Sequence, residues 1–135
     1  MCLLDTAIVS ELRRPRPQGA VLDGIEKIPD DHLFLSAVTI GEVQAGVEVI
    51  REQDPVKARE LEEWLERLAT SYGVLPMDAA TFREWARLKH RKSATLIEDA
   101  LIAATALVHR LMVVTINVRD FEMLGLSPLN PFNAS

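Results

Sequence analysis

Short apolar runs alternate with longer amphipathic stretches along this chain. Cys2–Leu4 is an apolar run that ends on Asp5. From Thr6, Ile8, Val9 and Leu12 fall at helical spacing until Pro15 and Pro17 interrupt them. A second short helix is predicted over Gln18–Lys27, then a turn at Pro29, Asp30 and Asp31. Leu33–Leu35 reads as a buried strand. Ile40, Val43, Val47 and Ile50 mark one face of a helix over Val38–Arg51, which Asp54-Pro55 breaks. Leu61, Trp64, Leu65 and Leu68 form the apolar stripe of the next helix.

The second half repeats this alternation. Val74–Leu75 is a short strand closed by Pro76, and Asp78 is a suitable N-cap for a helix carrying Phe82, Trp85 and Leu88. Lys89–Ser93 reads as a basic loop, and Thr95–His109 as an alanine-rich helix. Leu111–Thr115 is β-branched and apolar, the clearest strand in the sequence, and Pro128 and Pro131 flank a possible last edge strand. Strands alternating with helices predict an α/β fold: a doubly wound, mostly parallel sheet of four or five short strands flanked by helices.

That topology gives the acidic residues a common address. In open α/β sheets ligands bind beyond the carboxyl ends of the strands. Asp5 directly follows the first strand, and Asn117 and Asp120 follow the strand at Leu111–Thr115. Crossover helices run antiparallel to the strands, so their first turns open onto the same rim. Glu42 and Asp99 lie in such early turns, where the partial positive charge of a helix N-terminus favours carboxylates. Two carboxylates ~5 Å apart repel by ~3 kcal/mol at an effective dielectric of ~20. A cluster of them raises its own pKa values or recruits a cation. Oxygen-only ligands suit a hard ion, Mg²⁺ or Mn²⁺, and such an ion can activate water against a phosphodiester. The residues therefore point to a metal-dependent nuclease.

Each acid also has a structural role open to it. Thr39-x-x-Glu42 and Thr95-x-x-Glu98 both fit a capping box, and Glu98 is assigned to capping or solvent. Asp5 can cap the following helix, Asp99 can be a solvated first-turn acid, and Asn117 and Asp120 can be turn formers. The basic residues Arg13, Arg14, Arg16, Lys89, Arg91 and Lys92 are phosphate contacts or a solvated face.

Composition narrows the class. The net charge of −5 argues against a protein that binds duplex DNA by charge alone. Cys2 is the only cysteine, which excludes an internal disulfide, fits a reducing cytoplasm, and reads as a small buried apolar residue. His32, His90 and His109 have no zinc-binding spacing, and the six glycines form neither a dinucleotide fingerprint nor a P-loop. No stretch reads as a secretory signal or a membrane span.

Four stretches, in order, carry a resemblance. LLDTAIVSELRRP from Leu3, SAVTIGEVQAGVE from Ser36, EDALIAATAL from Glu98 and VVTINVRDFEMLG from Val113 resemble the successive motifs of PIN-domain ribonucleases of the VapC toxin type, and the closing LNPF from Leu129 also fits. The resemblance implies a single PIN domain over residues 1–135 and a cytoplasmic, Mg²⁺- or Mn²⁺-dependent endoribonuclease acting on RNA. It also implies a homodimer and a cognate antitoxin, with DNA engaged only through that antitoxin. By position it makes Asp5, Glu42 and Asp99 the core acids, with Asp120 and Asn117 sharing the fourth place. Thr6 and Thr115, beside these positions, are read as orienting the acids by hydrogen bonds. Two positions depart from it: Ala7 stands where relatives usually have Asn, and Ile116 where they usually have Arg. Those departures keep open a catalytically idle PIN domain that serves repressor assembly. A metal-dependent nuclease of DNA ends and a phosphoryl-accepting receiver domain are further alternatives. The receiver would need paired acids after the first strand and a late lysine, and this chain has one acid and Asn117 there.

Overall fold

The computed structural model describes residues 1–13, 19–90 and 97–131. Four strands form its sheet: β1 (Cys2–Leu4), β2 (Leu33–Ser36), β3 (Gly73–Leu75) and β4 (Met112–Val114). Their order is β3-β2-β1-β4 and every neighbouring pair is parallel. Leu3 lies opposite Phe34 on one side and Val113 on the other. The helices are α1 (Thr6–Leu12), α2 (Gly19–Glu26), α3 (Ala37–Arg51), α4 (Pro55–Ser71), α5 (Ala79–Lys89), α6 (Ile97–His109) and α7 (Val118–Met123).

Period-two alternation in the strands divides the core into two layers. Leu4, Leu33, Leu35 and Val114 face Ile8, Val9, Val43, Leu65 and Leu68 on one side. Leu3 and Val113 face Ala100, Ile102, Ala103, Ala106, Phe121 and Leu124 on the other. The sheet is thus covered on both faces, as the near-continuous apolar strands require. Among the described residues, no helix is long and apolar enough to cross a membrane.

Caps follow the sequence where a short acid precedes a helix. Asp54 accepts the Lys57 N–H with Pro55 in the first turn, and Asp78 accepts the Thr81 N–H. Elsewhere tertiary packing overrides the local pattern. The capping box at Thr39 does not form, because α3 begins two residues earlier with Ser36 as its cap. On α5, Phe82 is 47% exposed and Thr81 is buried in its place. Thr81 is drawn inward because both its N–H and its hydroxyl bond to Asp78. Phe82 instead meets Trp85 edge to face, and the Lys89 ammonium lies 4.3 Å from the centre of the Trp85 ring.

On α4, Leu65 and Leu68 are buried in the core with Trp64 packed on them, while Leu61 is half-buried. Two further expectations change. Cys2 is only partly buried, at the sheet's end, and that burial raises its thiol pKa. The last edge strand reduces to a single bridge, in which the Leu129 N–H donates to the Val113 carbonyl and the Thr115 N–H to the Leu129 carbonyl. Arg14, Pro15, Arg16, Pro17 and Gln18, the stretch from Arg91 to Leu96 including the Thr95 capping box, and Phe132 of the closing motif lie outside the described residues.

Helix α7 was not anticipated. It has only six residues and no side-chain cap, and Gly125 ends it in the left-handed region that favours glycine. One residue anchors it: Phe121, fully buried against Leu3, Val113 and α6. Phe121→Ala is expected to destabilise the fold by about 3–5 kcal/mol, read as a lowered denaturant midpoint. A change under about 1 kcal/mol would show that α7 is not part of the core.

Candidate functional site

Asp5 is the residue where β1 ends and α1 begins. Its backbone N–H still donates to the Val114 carbonyl, extending the β1–β4 ladder by one step. Its side chain then turns to cap α1, accepting the Ile8 N–H at 3.0 Å through Oδ1. The second oxygen, Oδ2, accepts a short hydrogen bond from the Thr115 hydroxyl at the end of β4. Thr115 in turn accepts the Asn117 N–H at 2.8 Å. Asp5 is only 2% exposed, so these bonds fix its position without solvent. Burial raises its pKa against the opposing pull of those bonds, and Glu42 adds to the rise.

Glu42 comes from α3, which follows β2. Its Oε1 accepts the Thr6 hydroxyl at 2.8 Å, so α1 and α3 are tied at the rim through the residue next to Asp5. Burial raises the Glu42 pKa, the Thr6 bond opposes the rise, and Glu98 contributes repulsion.

Asp99 lies in the first turn of α6 and Asp120 in the first turn of α7. Asp99 is the most perturbed of the set, with its pKa raised to about 6. Burial is the largest cause; repulsion from Asp120 and Asp5, a hydrogen bond with Asp120 and repulsion from Glu42 add to it. Those couplings place Asp5, Glu42, Asp99 and Asp120 in one electrostatic neighbourhood at the carboxyl ends of β1, β2 and β4. Asn117 is exposed and caps α7 without a side-chain bond, so its link to the cluster runs through its backbone N–H and Thr115.

Two more residues bear on the cluster. Glu98, assigned to capping or solvent, is exposed, and its repulsion is the smallest contribution to the rise in the Glu42 pKa. Thr39, assigned to a cap, is fully buried with its hydroxyl 2.9 Å from that of Thr6. Glu98 was legible only as the neighbour of Asp99, and Thr39 only as lying one helical turn before Glu42. By contrast, the shallow cavity of about 560 Å³ at the sheet's amino end, lined by Met1, Cys2, Leu107 and Met112 among others, contains no carboxylate.

Among the described residues, the acids do not close into a ready-made shell of three direct ligands. Bare carboxylates repel each other, and Mg²⁺ keeps several of its own waters and takes only one or two carboxylates directly. An oxygen-only donor set in which Asp5, Glu42 and Asp99 have raised pKa values therefore fits a hydrated divalent cation, which would relieve the repulsion.

The comparisons agree with this architecture. A family model described as PIN domain matches residues 2–124. VapC ribonuclease Y4jK of Sinorhizobium fredii is 36% identical, with 98% of each chain covered. Toxin FitB of Neisseria gonorrhoeae is 32% identical, covering 98% of this chain and 99% of that one. A crystal structure of FitAcB from Neisseria gonorrhoeae superposes with a TM-score of 0.87 at 30% identity, over 98% of this chain and 99% of that one. With its parallel four-stranded sheet and its match along nearly the whole length, the chain belongs to the PIN-domain family.

Proposed function

We propose that this chain is a metal-dependent endoribonuclease and the toxin of a VapBC-type toxin–antitoxin module. The observation that carries the reading is the meeting of Asp5, Glu42, Asp99 and Asp120 at one sheet edge, with Asp99 pushed up to about 6 by burial and then by repulsion from these neighbours. The relatives named VapC ribonuclease and toxin support the class of reaction and the role.

In this reading Asp5, Glu42, Asp99 and Asp120 hold Mg²⁺ or Mn²⁺ directly or through water. When bound, such an ion supplies polarisation of an RNA phosphodiester and activation of the attacking water. The chain's own groups set the geometry. Thr115 holds Asp5 in place from β4, Thr6 holds Glu42 from α1, and Asn117 keeps Thr115 oriented through its N–H. Asp99, with its pKa raised to about 6 by burial first and by its acidic neighbours after that, adjusts to the charge at the site by taking up or giving up a proton. Ala7 and Ile116 flank the cluster without supplying an acid, so the departures from the family pattern leave the four carboxylates intact.

The partners follow from the same reading: an RNA substrate, a cognate antitoxin, a second copy of the chain, and operator DNA reached through the antitoxin. The net charge of −5 suits this division, since the chain alone lacks the positive field that duplex DNA requires.

The direct test supplies purified protein with Mg²⁺ and either circular single-stranded RNA or linear DNA flaps. Cleavage of the circular RNA, lost on adding a chelator, is the expected result. Cleavage of flap DNA alone would favour a nuclease of DNA ends. No cleavage, with no rise in melting temperature at tens of millimolar Mg²⁺, would favour an idle domain that acts in repressor assembly.

A further inference from the structure

We propose that Thr39 is a positioning residue for Glu42, acting through Thr6. The inference rests on the nuclease reading above and adds a residue to its machinery. Thr6 Oγ1 lies 2.8 Å from Glu42 Oε1 and 2.9 Å from Thr39 Oγ1. A hydroxyl has one proton to give, and an ionised carboxylate has none. The Thr6 proton therefore goes to Glu42, and the Thr39 hydroxyl is left as the donor to the Thr6 oxygen. The direction of the chain is fixed: Thr39 to Thr6 to Glu42.

Thr39 has another choice in principle. A threonine within a helix can donate to the carbonyl four residues back, as Thr105 does to Leu101 at 2.9 Å. Among the described hydrogen bonds, Thr39 donates instead across the α1–α3 contact. It does so with no solvent exposure, where no water competes for the proton. Thr39 and Glu42 are three apart on α3 and share a face, and Thr6 faces both from α1. The Thr6 hydroxyl, which is only partly buried, is thereby held with its proton toward Glu42. One glutamate oxygen is engaged and the other is left available to the site. Each bond in such a chain polarises the next, so the whole holds Glu42 better than Thr6 would alone.

The test compares Thr39→Val, which keeps the shape and removes the hydroxyl, with Thr39→Ser, which keeps the hydroxyl. In metal-free protein, three-bond couplings to the Thr6 methyl carbon report whether its side chain occupies one rotamer. A single rotamer is expected in wild type and Thr39→Ser, and averaging in Thr39→Val. With Mg²⁺ and RNA, Thr39→Val is expected to lower kcat about 3- to 10-fold, the worth of one hydrogen bond, with KM for RNA unchanged and kcat restored by Thr39→Ser. Thr39→Ala provides a second truncation in case Thr39→Val does not fold. A single Thr6 rotamer in the truncated protein, or a kcat that Thr39→Ser fails to restore, overturns the proposal. If wild-type protein cuts no RNA, the nuclease reading fails by itself, and the Thr6 couplings still decide whether Thr39 orders Thr6.

Discussion

Asp5→Asn lowers RNA cleavage by on the order of 10²- to 10³-fold or more, the scale on which enzymes depend on a fixed charge at the reacting centre, and leaves the fold intact. Both halves of this expectation come from the same geometry. Asn is as good an N-cap as Asp, so its side-chain carbonyl can take over the Ile8 N–H that Asp5 Oδ1 now accepts. Its amide can face Thr115, whose hydroxyl turns from donor to acceptor. The substitution also relieves a buried charge, since Asp5 is 2% exposed and its pKa is raised by burial. Stability should therefore stay within about 1 kcal/mol of wild type. What disappears is the negative charge at the centre of the cluster. Asp5→Ala, in contrast, removes the cap as well and should cost about 0.5–2 kcal/mol of stability. Single-turnover cleavage of a short RNA, beside thermal melts of the three proteins, measures both effects. An Asp5→Asn protein that cuts at the wild-type rate would remove Asp5 from the catalytic machinery.

The strand positions were legible because each apolar run is short and bounded by a turn residue or an acid, and a parallel sheet then brings the carboxyl ends of its strands to one edge. From that rule alone Asp5, Asn117 and Asp120 follow strands, and Glu42 and Asp99 open crossover helices. The contacts that hold the site were not legible. Thr115 to Asp5 spans 110 residues and Thr6 to Glu42 spans 36, and no local period encodes a partner at such range. The same limit explains the errors. Periodicity picked out Phe82, Trp85 and Leu88 on α5, yet Thr81, tied to Asp78, is the residue of that first turn that faces in. The capping box at Thr39 failed because β2 runs on to Ser36, which then caps α3 itself. That left Thr39 inside the helix, free to bond across to α1. Helix α7 was missed because six residues give less than two turns of pattern, and its stability comes from one tertiary contact at Phe121.

On the proposed reading protons and divalent cations should compete for Asp99, and this competition sets the second large effect. In the metal-free fold its pKa lies at about 6, against the 3.8 of an ordinary aspartate. Between those two values the folded state binds more protons than the unfolded state. The resulting contribution to stability is complete below about pH 4 and is lost as pH rises through about 6. The raised pKa values of Asp5 and Glu42 act in the same direction. Metal-free wild type should therefore melt at a lower temperature at pH 7.5 than at pH 5 as far as this cluster is concerned. Asp99→Asn should remove much of that difference by raising the melting temperature at pH 7.5. A divalent cation needs the ionised carboxylates, so its binding releases protons and weakens below about pH 6. At a concentration a hundredfold above its Kd it should stabilise the fold by about 2.7 kcal/mol, a rise on the order of 10 °C for a domain of this size. The rise should be large at pH 7.5, small at pH 5 and nearly absent in Asp99→Asn at either pH. RNA cleavage should fall along the same curve, since the groups that hold the ion are those that take up the protons. Melting curves at the two pH values, with and without Mg²⁺ or Mn²⁺, measure these effects directly. Equal metal-induced shifts in wild type and Asp99→Asn would show that the ion binds elsewhere. Identical pH dependence of the two metal-free proteins would show that Asp99 ionises as an ordinary surface carboxylate.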